Sequence, residues 1–474
     1  MDNKFYITTP VYYANSQPHI GTSYTTLAAD IIARYYRIEL GEDNVLLQVG
    51  TDEHGQKIAE TAKSQNKEPK EFLDELVPSF KKAWKMLNID FDVFVRTTDP
   101  RHIKTASDLL QKVYDNGYIY KGVYEGFYCV GCEKYITKKE LVADKCPSHP
   151  NKKVSYQKED NYFLKLSEFA PKILGLIESG EVNISPKHRK KEIVNRIKEG
   201  VEDLSISRES VDWGIPIPWD MEKKSTLWVW VEALINYYSV TKFDADKNRF
   251  WPADLHLVGK DILWFHTVIW LSLLLAADLD LPKQVFAHGF FTIDGQKISK
   301  SLGNVITPKE FIDKYGVDGA RYLIISAAPF GDDRDIKRED FDKKYTSDLV
   351  NGLGNLTARV ASMAEKVNLE VDSKRNEMTK EVGVKLKSFE FNNALNLIWD
   401  RIRKADKLIN EKEVWKLEGE EKKDVLVKLV GEIRQIGVDL KPFLPESAEK
   451  IIKQFAGPKI VRGENLFERL KPGV

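Results

Sequence analysis

Two short segments far apart in the chain carry residue types suited to handling phosphate. In PHIGT, His19 and Thr22 offer side-chain donors to charge developing on phosphorus, and Gly21 lets a phosphate or an adenine approach the backbone. A strand-like run, FYITTP, precedes the segment and a helical run follows, so the first helical N–H groups would face whatever lies at the end of that strand. In GQKISKSLGN, 295–304, Lys297 and Lys300 sit around a serine in a glycine-flanked loop, a mobile clamp suited to a pyrophosphate leaving group. Taken singly, one is also what a plain strand-to-helix turn looks like, and the other a solvated Lys/Ser loop. As a pair, each beside an α/β strand pattern, they predict two loops converging on one triphosphate at the C-terminal edge of a sheet.

A third constellation points to a metal. Cys129, Cys132, Cys146 and His149 read C-x2-C-x13-C-x2-H, two knuckle-like pairs of soft or borderline ligands that use all three cysteines of the chain. Zn2+ suits this donor set better than redox chemistry or chance spacing. No coordination position is left open, so the expectation is one structural zinc per chain, its binding contributing to local folding. Three cysteines cannot make a paired disulfide framework.

The elements that must position these residues follow from periodicity. Short β-type runs (4–9, 45–49) alternate with helical ones (25–39, 69–87), which argues for a parallel sheet. A Cys- and Lys-rich, irregular stretch over 117–225 interrupts the rhythm, which returns with LHLVGKDI and VFAHGFF. The expected fold is α/β: a Rossmann-like parallel-sheet catalytic domain in two halves (1–116 and 226–340), a zinc-knuckle insertion (117–225, knuckle 129–149), and an α-helical bundle over 341–474. In the bundle Leu395, Ile398, Ile402, Ala405 and Ile409 recur at helical spacing, as do Leu426, Leu429, Ile433, Ile436 and Leu440.

With 474 residues the chain is long enough for several cores. Its 72 basic and 72 acidic residues cancel, so a polyanionic partner would have to be met by local patches. The N-terminus lacks a signal-peptide pattern, and the most apolar run, 268–277, is far shorter than the roughly 20 residues that span a bilayer. A cytoplasmic protein without a membrane partner is expected.

PHIGT and KISKS resemble the HIGH and KMSKS signatures of class I aminoacyl-tRNA synthetases. Within that class TTPVYYANSQPHIG, GTDEHGQKI, DWGIPIP, VGKDILWFH, AHGFF and LKPFLPE resemble the methionyl-tRNA synthetases of short bacterial or organellar type over nearly the whole chain. Two positions depart from the signatures: Thr22 stands where a His is usual, and Ile298 where a Met is usual. The resemblance implies an ATP- and Mg2+-dependent ligase that activates L-methionine and transfers it to initiator and elongator tRNA(Met). His19, Thr22, Lys297 and Lys300 would act by charge stabilisation. ATP would meet His19, Gly21, Thr22, Gly259, Asp261, His288, Gly289, Lys297, Ile298 and Lys300.

For methionine, a carboxylate is needed by the ammonium group, and Asp52 follows the strand VLLQV to the same sheet edge. A thioether has to be selected by shape and polarizable aromatic contact, for which Tyr13, Trp230 and Tyr237 are candidates, with Leu234 and Ile262. The resemblance adds Val11, Ala233 and His266 to that pocket. In the helical region NLTAR places Asn355 and Arg359 on one helix face, and Trp415 offers a stacking platform. Similarity to the family assigns these three to the anticodon, although Val414 replaces the proline usual before the Trp. The run KHRKK, 187–191, is either an acceptor-stem contact or a solvated face. The chain ends just after the helical bundle, and a monomer is expected. Competing readings are a synthetase for leucine, isoleucine, valine or cysteine, a simpler nucleotidyltransferase, and an idle RNA-binding relative. The first lacks support because no large editing insertion is present.

Overall fold

The computed structural model describes residues 3–129, 134–136, 138–147, 149–150, 152, 154–209, 211–220, 225–296, 306–373 and 376–471. The chain forms two compact units. The first comprises Met1–Gln17, Asn44–Lys82 and Phe91–His288, the second Pro18–Asp43, Ala83–Asp90 and Gly289–Val474.

The first unit holds strands β1 (Phe5–Tyr13), β2 (Val45–Asp52), β3 (Val93–Arg96), β4 (Ile119–Cys129), β5 (Lys134–Ile136) and β6 (Val154–Leu164). It continues with β7 (Asn183–Ser185), β8 (Leu204–Ser205), β9 (Ser207–Arg208), β10 (Thr226–Leu227), β11 (Leu255–Gly259) and β12 (Gln284–His288). Six of these make one sheet in the order β3-β2-β1-β11-β12-β7, every pair parallel. Strands buried on both faces need apolar side chains throughout rather than alternation, and Leu46, Leu47, Val49, Leu257, Val258 and Val285 are all buried. Between β1 and β11 the sheet order reverses, the place where parallel α/β sheets open a crevice at their C-terminal ends.

Strand β1 outruns its expected end at residue 9 and continues to Tyr13. Pro10 cannot donate to the ladder, and the register with β2 shifts between Thr8 and Val11, so a bulge carries the strand past the proline. The stretch expected to be irregular is built on a long antiparallel hairpin, β4 with β6, in a four-stranded sheet β5-β4-β6-β8. Much of β4 is exposed or half-exposed, so its composition resembles that of a loop. Within the same stretch, β7 supplies an edge strand to the parallel sheet. The run 268–277 is interior but for the half-buried Leu275, and occupies the helical turns Phe265–Ile269 and Trp270–Ala276 with Ala277 as their C-cap. Among the described residues no helix is long and apolar enough to cross a membrane.

The second unit begins with the helix Ile20–Leu40 and carries a short parallel pair, β13 (Phe291–Ile293) with β14 (Arg334–Ile336). Helices Asn355–Lys366, Phe391–Glu411, Gly419–Leu440 and Pro445–Gln454 form its C-terminal part, and the two periodic apolar series face its interior. Arg321 is the fully buried fastening of this unit. Its Nη2 pairs with Asp30 at 2.7 Å, its Nε donates to the Phe443 carbonyl at 2.8 Å, and its Nη1 donates to the Leu87 carbonyl at 2.9 Å. One planar fork thus ties the helix after the first motif to the LKPFLPE turn. Removing one partner of such a buried pair typically costs about 3–5 kcal/mol.

Candidate functional site

In the first unit the parallel ladders bring four of the expected residues to one sheet edge. Tyr13 at the end of β1 lies in register with Asp52 at the end of β2, and Gly259 ending β11 lies in register with His288 ending β12. Asp52 is buried, and its carbonyl accepts from the Ala14 N–H at 2.9 Å. Two residues upstream, Gly50 stands where a side chain has no room: a Cβ there would lie 2.3 Å from the Val95 carbonyl oxygen. Asp261 follows β11 in a single exposed turn, Lys260–Ile262.

Beside this edge a single apolar cluster contains Leu234 and Tyr237 from 229–239, with Tyr13, Trp230 and Ile262 packed half-exposed against it. Ala233 is buried in the same helix, while Val11 packs on a neighbouring cluster around Tyr6 and Val95. Trp230 stacks on Phe265 with ring centres 4.1 Å apart. Tyr237 and His266 form the polar point of this apolar surface. His266 Nδ1 lies 2.9 Å from the Ile262 carbonyl, which can only accept, so Nδ1 carries the proton and Nε2 accepts from the Tyr237 hydroxyl at 2.7 Å. Burial pushes His266 down to about 4, so the ring is neutral at physiological pH. Burial raises the Tyr237 phenol well above its ordinary value, and the charge of Asp52 adds to the shift, which puts the carboxylate within electrostatic reach of the hydroxyl. A neutral polar pair in an apolar wall suits a thioether, which a charged group would desolvate itself to meet.

Beneath the edge lies a network that sequence reasoning missed. Glu53 accepts from Thr51 at 2.6 Å, from Arg96 Nε at 2.8 Å and from Thr98 at 2.5 Å, while its carbonyl accepts from the Trp213 indole at 2.6 Å. Glu53 is therefore consumed in holding the turn after β2. Next to it His54 Nδ1 meets Glu232 at 2.8 Å, and His102 Nε2 meets the other oxygen of Glu232 at 3.0 Å. Burial pushes the Glu232 carboxyl up, but the two histidines outweigh it and hold the group below its ordinary value. GTDEHG offered the only signal, three ionisable residues in a row where a strand ends.

In the second unit His19 is the N-cap of helix Ile20–Leu40, which explains why the helix starts at the motif itself and not near residue 25. The Gly21 N–H donates to His19 Nδ1 at 3.0 Å, which leaves the ring proton on Nε2 in the neutral form. Thr22 completes a reciprocal cap: its hydroxyl donates to the His19 carbonyl at 2.7 Å and accepts from the His19 N–H at 3.0 Å. The hydroxyl is thus engaged with His19 in this structure. Lys297, Ile298 and Lys300 lie outside the described residues. Beyond them in the chain, the Ile306 carbonyl accepts from the Ile20 N–H at 3.0 Å, next to the start of the motif helix. Gly289 again has no room for a side chain, since a Cβ would lie 2.2 Å from the Asp332 carbonyl oxygen.

Of the four expected metal ligands, Cys132 lies outside the described residues. The ligand atoms of Cys129, Cys146 and His149 all lie within 4.8 Å of one another, and both described cysteines are buried thiols without a disulfide. Two thiols and an imidazole that close match a tetrahedral zinc donor set. Cys129 and Cys146 pack with Ile136, and Leu141 and Val154 against them, as the small core of the knuckle.

In the helical part Asn355, Arg359 and Trp415 line one open cavity of about 910 Å³, together with Asn351, Arg462 and Asn465. Arg359 is held by Asp406 and Asn410, each at 3.0 Å, with its guanidinium 6.0 Å from the centre of the Trp415 ring. Trp415 is 48% exposed although Val414 beside it is fully buried, so an aromatic face is presented to solvent. Lys187 and Lys191 are exposed on the helix Lys187–Lys198.

A profile described as tRNA synthetases class I (M) matches residues 5–155 and 149–361. The methionine–tRNA ligase of Clostridium acetobutylicum is 43% identical over 98% of this chain and 78% of its own length, and that of Thermotoga maritima is 38% identical over 98% of this chain and 80% of its own. Among solved structures, Mycobacterium tuberculosis methionyl-tRNA synthetase in complex with methionyl-adenylate has a TM-score of 0.90 and 31% identity, covering 98% of this chain and 100% of that one. With the parallel sheet, the half-knuckle and the capped PHIGT helix already in place, these likenesses establish that the chain belongs to the class I tRNA synthetases of the methionyl family.

Proposed function

We infer that this chain is an enzyme that joins methionine to tRNA at the expense of ATP. A methionine carboxylate oxygen attacks the α-phosphorus of ATP and pyrophosphate leaves, giving methionyl-adenylate. A hydroxyl of the terminal tRNA ribose then attacks the methionyl carbonyl, and AMP departs. The observation that carries the reading is the edge where Asp52 and Tyr13 stand in register beside the neutral Tyr237–His266 pair, an anion for an ammonium next to an apolar wall for a thioether.

In this reading Asp52 holds the amino group, and Val11, Tyr13, Trp230, Ala233, Leu234, Tyr237, Ile262 and His266 surround the side chain. Gly259, Asp261, His288, Gly21 and Gly289 accommodate the adenosine and its phosphates. His19 donates from Nε2 to charge building on phosphorus, and Lys297 and Lys300 neutralise the departing pyrophosphate, each worth about 2–4 kcal/mol when engaged. Thr22 serves His19, whose backbone it keeps in the capping geometry, while the Gly21 N–H holds the ring. Mg2+ accompanies ATP and supplies charge neutralisation of the triphosphate. Asn355, Arg359 and Trp415 take anticodon bases.

Cys129, Cys132, Cys146 and His149 would hold a structural zinc far from any role in acyl transfer. Metal analysis of the purified chain should find about one zinc per chain; none, with all thiols free, would remove the metal from the account. The activity itself is tested by ATP–pyrophosphate exchange with each standard amino acid in turn. Exchange that depends on methionine alone is expected, and exchange driven by leucine, isoleucine, valine or cysteine would transfer the chain to another specificity.

A further inference from the structure

A second cavity, about 260 Å³, opens in the helical part of the second unit between helix Pro308–Ile325, the turns around Lys344 and Asp348, and helix Phe391–Glu411. Three of its lining side chains bury polar atoms that find no partner among the described residues: Ser326 Oγ, Asn392 Oδ1 and Trp399 Nε1. Trp399 is only 6% exposed, and its indole N–H is a donor that cannot turn to solvent with its ring fixed. That ring is fixed, stacked on Tyr322 at 4.7 Å and 20°, while the Tyr322 hydroxyl donates to Asp348 at 2.6 Å. Leaving three buried groups unsatisfied costs about as much as several ordinary hydrogen bonds contribute, so a site that keeps them is built for something that satisfies them.

The unmet needs define the occupant. An indole N–H requires an acceptor, an amide oxygen requires a donor, and a hydroxyl takes either, so the ligand must present donor and acceptor side by side on one edge. A nucleobase edge does so. At the mouth Lys344 and the exposed Arg403 bring positive charge, partly offset by Asp348, which Lys344 meets at 3.1 Å, and by Asp400, which pairs with Arg403. Asparagine, arginine and tryptophan are also the types lining the larger cavity with Asn355, Arg359 and Trp415, and they are the usual means of holding an unpaired nucleotide. Between the two cavities the backbone adopts a ten-residue π-helical stretch, Tyr345–Gly354, a conformation concentrated at functional sites. We propose that the cavity bounded by Tyr322, Ser326, Asn392 and Trp399 binds a nucleotide, its base edge on the three buried polar atoms and its phosphate against Lys344 and Arg403.

The nucleotide has two sources, an unpaired position of bound tRNA or a free mononucleotide; the first rests on the activity proposed above. Full-length protein is first saturated with a non-hydrolysable methionyl-adenylate analogue, so that the activation site is filled. It is then titrated calorimetrically with AMP, GMP, CMP and UMP, and separately with tRNA(Met), as wild type, Trp399→Phe and Arg403→Ala. Trp399→Phe keeps an aromatic ring that can stack on Tyr322 and removes the N–H, and should weaken the bound species at least about fivefold. Arg403→Ala, at an exposed position that folding does not need, should weaken it about threefold and flatten its salt dependence. Loss of mononucleotide binding in the variants identifies a free nucleotide as occupant, and weakening of tRNA binding alone identifies a tRNA position. Both variants binding every species as wild type does would overturn the proposal. Methionine-dependent pyrophosphate exchange is expected unchanged in both variants, and its absence in the wild type would instead defeat the activity reading, leaving the mononucleotide titration valid.

Discussion

The surface proposed for methionine and the one proposed for anticodon bases are built from opposite materials. At the sheet edge of the first unit Asp52, Tyr237 and His266 are buried, and His266 is held neutral with its tautomer fixed by a backbone carbonyl. In the helical part Asn355 and Trp415 are exposed, Arg359 is half-buried, and the cavity is several times the size of an amino acid side chain. A small ligand with one weakly polar atom is distinguished only by a rigid, desolvated wall. Unpaired bases carry their own π faces and hydrogen-bonding edges, so an open stacking platform with charged partners suffices.

The comparison is broken most easily at Asp52. In its proposed role Asp52 meets the methionine ammonium, and Asp52→Asn, which leaves that ammonium unmatched, should lower kcat/KM for methionine activation on the order of 10²–10³-fold. Retention of near wild-type exchange would move the ammonium site elsewhere. A smaller effect is expected at Thr22. Thr22→Val removes the hydroxyl that both donates to and accepts from His19, worth about 1 kcal/mol as a cap, so activation should slow about fivefold, with Thr22→Ser restoring it. Equal rates in Thr22→Val and wild type would show that the cap does not position His19.

Much of this was legible before any coordinates. Asp52 could be placed because a run of apolar residues that ends in an acid, followed by a glycine-bounded turn, puts the carboxylate at a strand's C-terminal end. The ligand spacing of Cys129, Cys146 and His149, and the stripes of the two long C-terminal helices, are local patterns that survive folding unchanged. What escaped was non-local. Glu232, His54 and His102 lie far apart in sequence and acquire meaning only when three elements bring them together. Strand β7 is three residues long, too short for a periodicity to register, yet it closes one edge of the sheet. The motif position of Thr22 gives no hint that its hydroxyl bonds to His19, a pairing that depends on where the helix starts.

The proposed division between a rigid edge that activates methionine and an open helical cavity that reads RNA is tested most directly by one variant assayed in two ways. Trp415→Ala removes the exposed platform without touching the first unit, so methionine-dependent pyrophosphate exchange should match wild type. Charging of tRNA(Met) should fall roughly 5- to 150-fold in kcat/KM, the value of one stacked base. A parallel loss in both assays, or no loss in charging, would contradict the account.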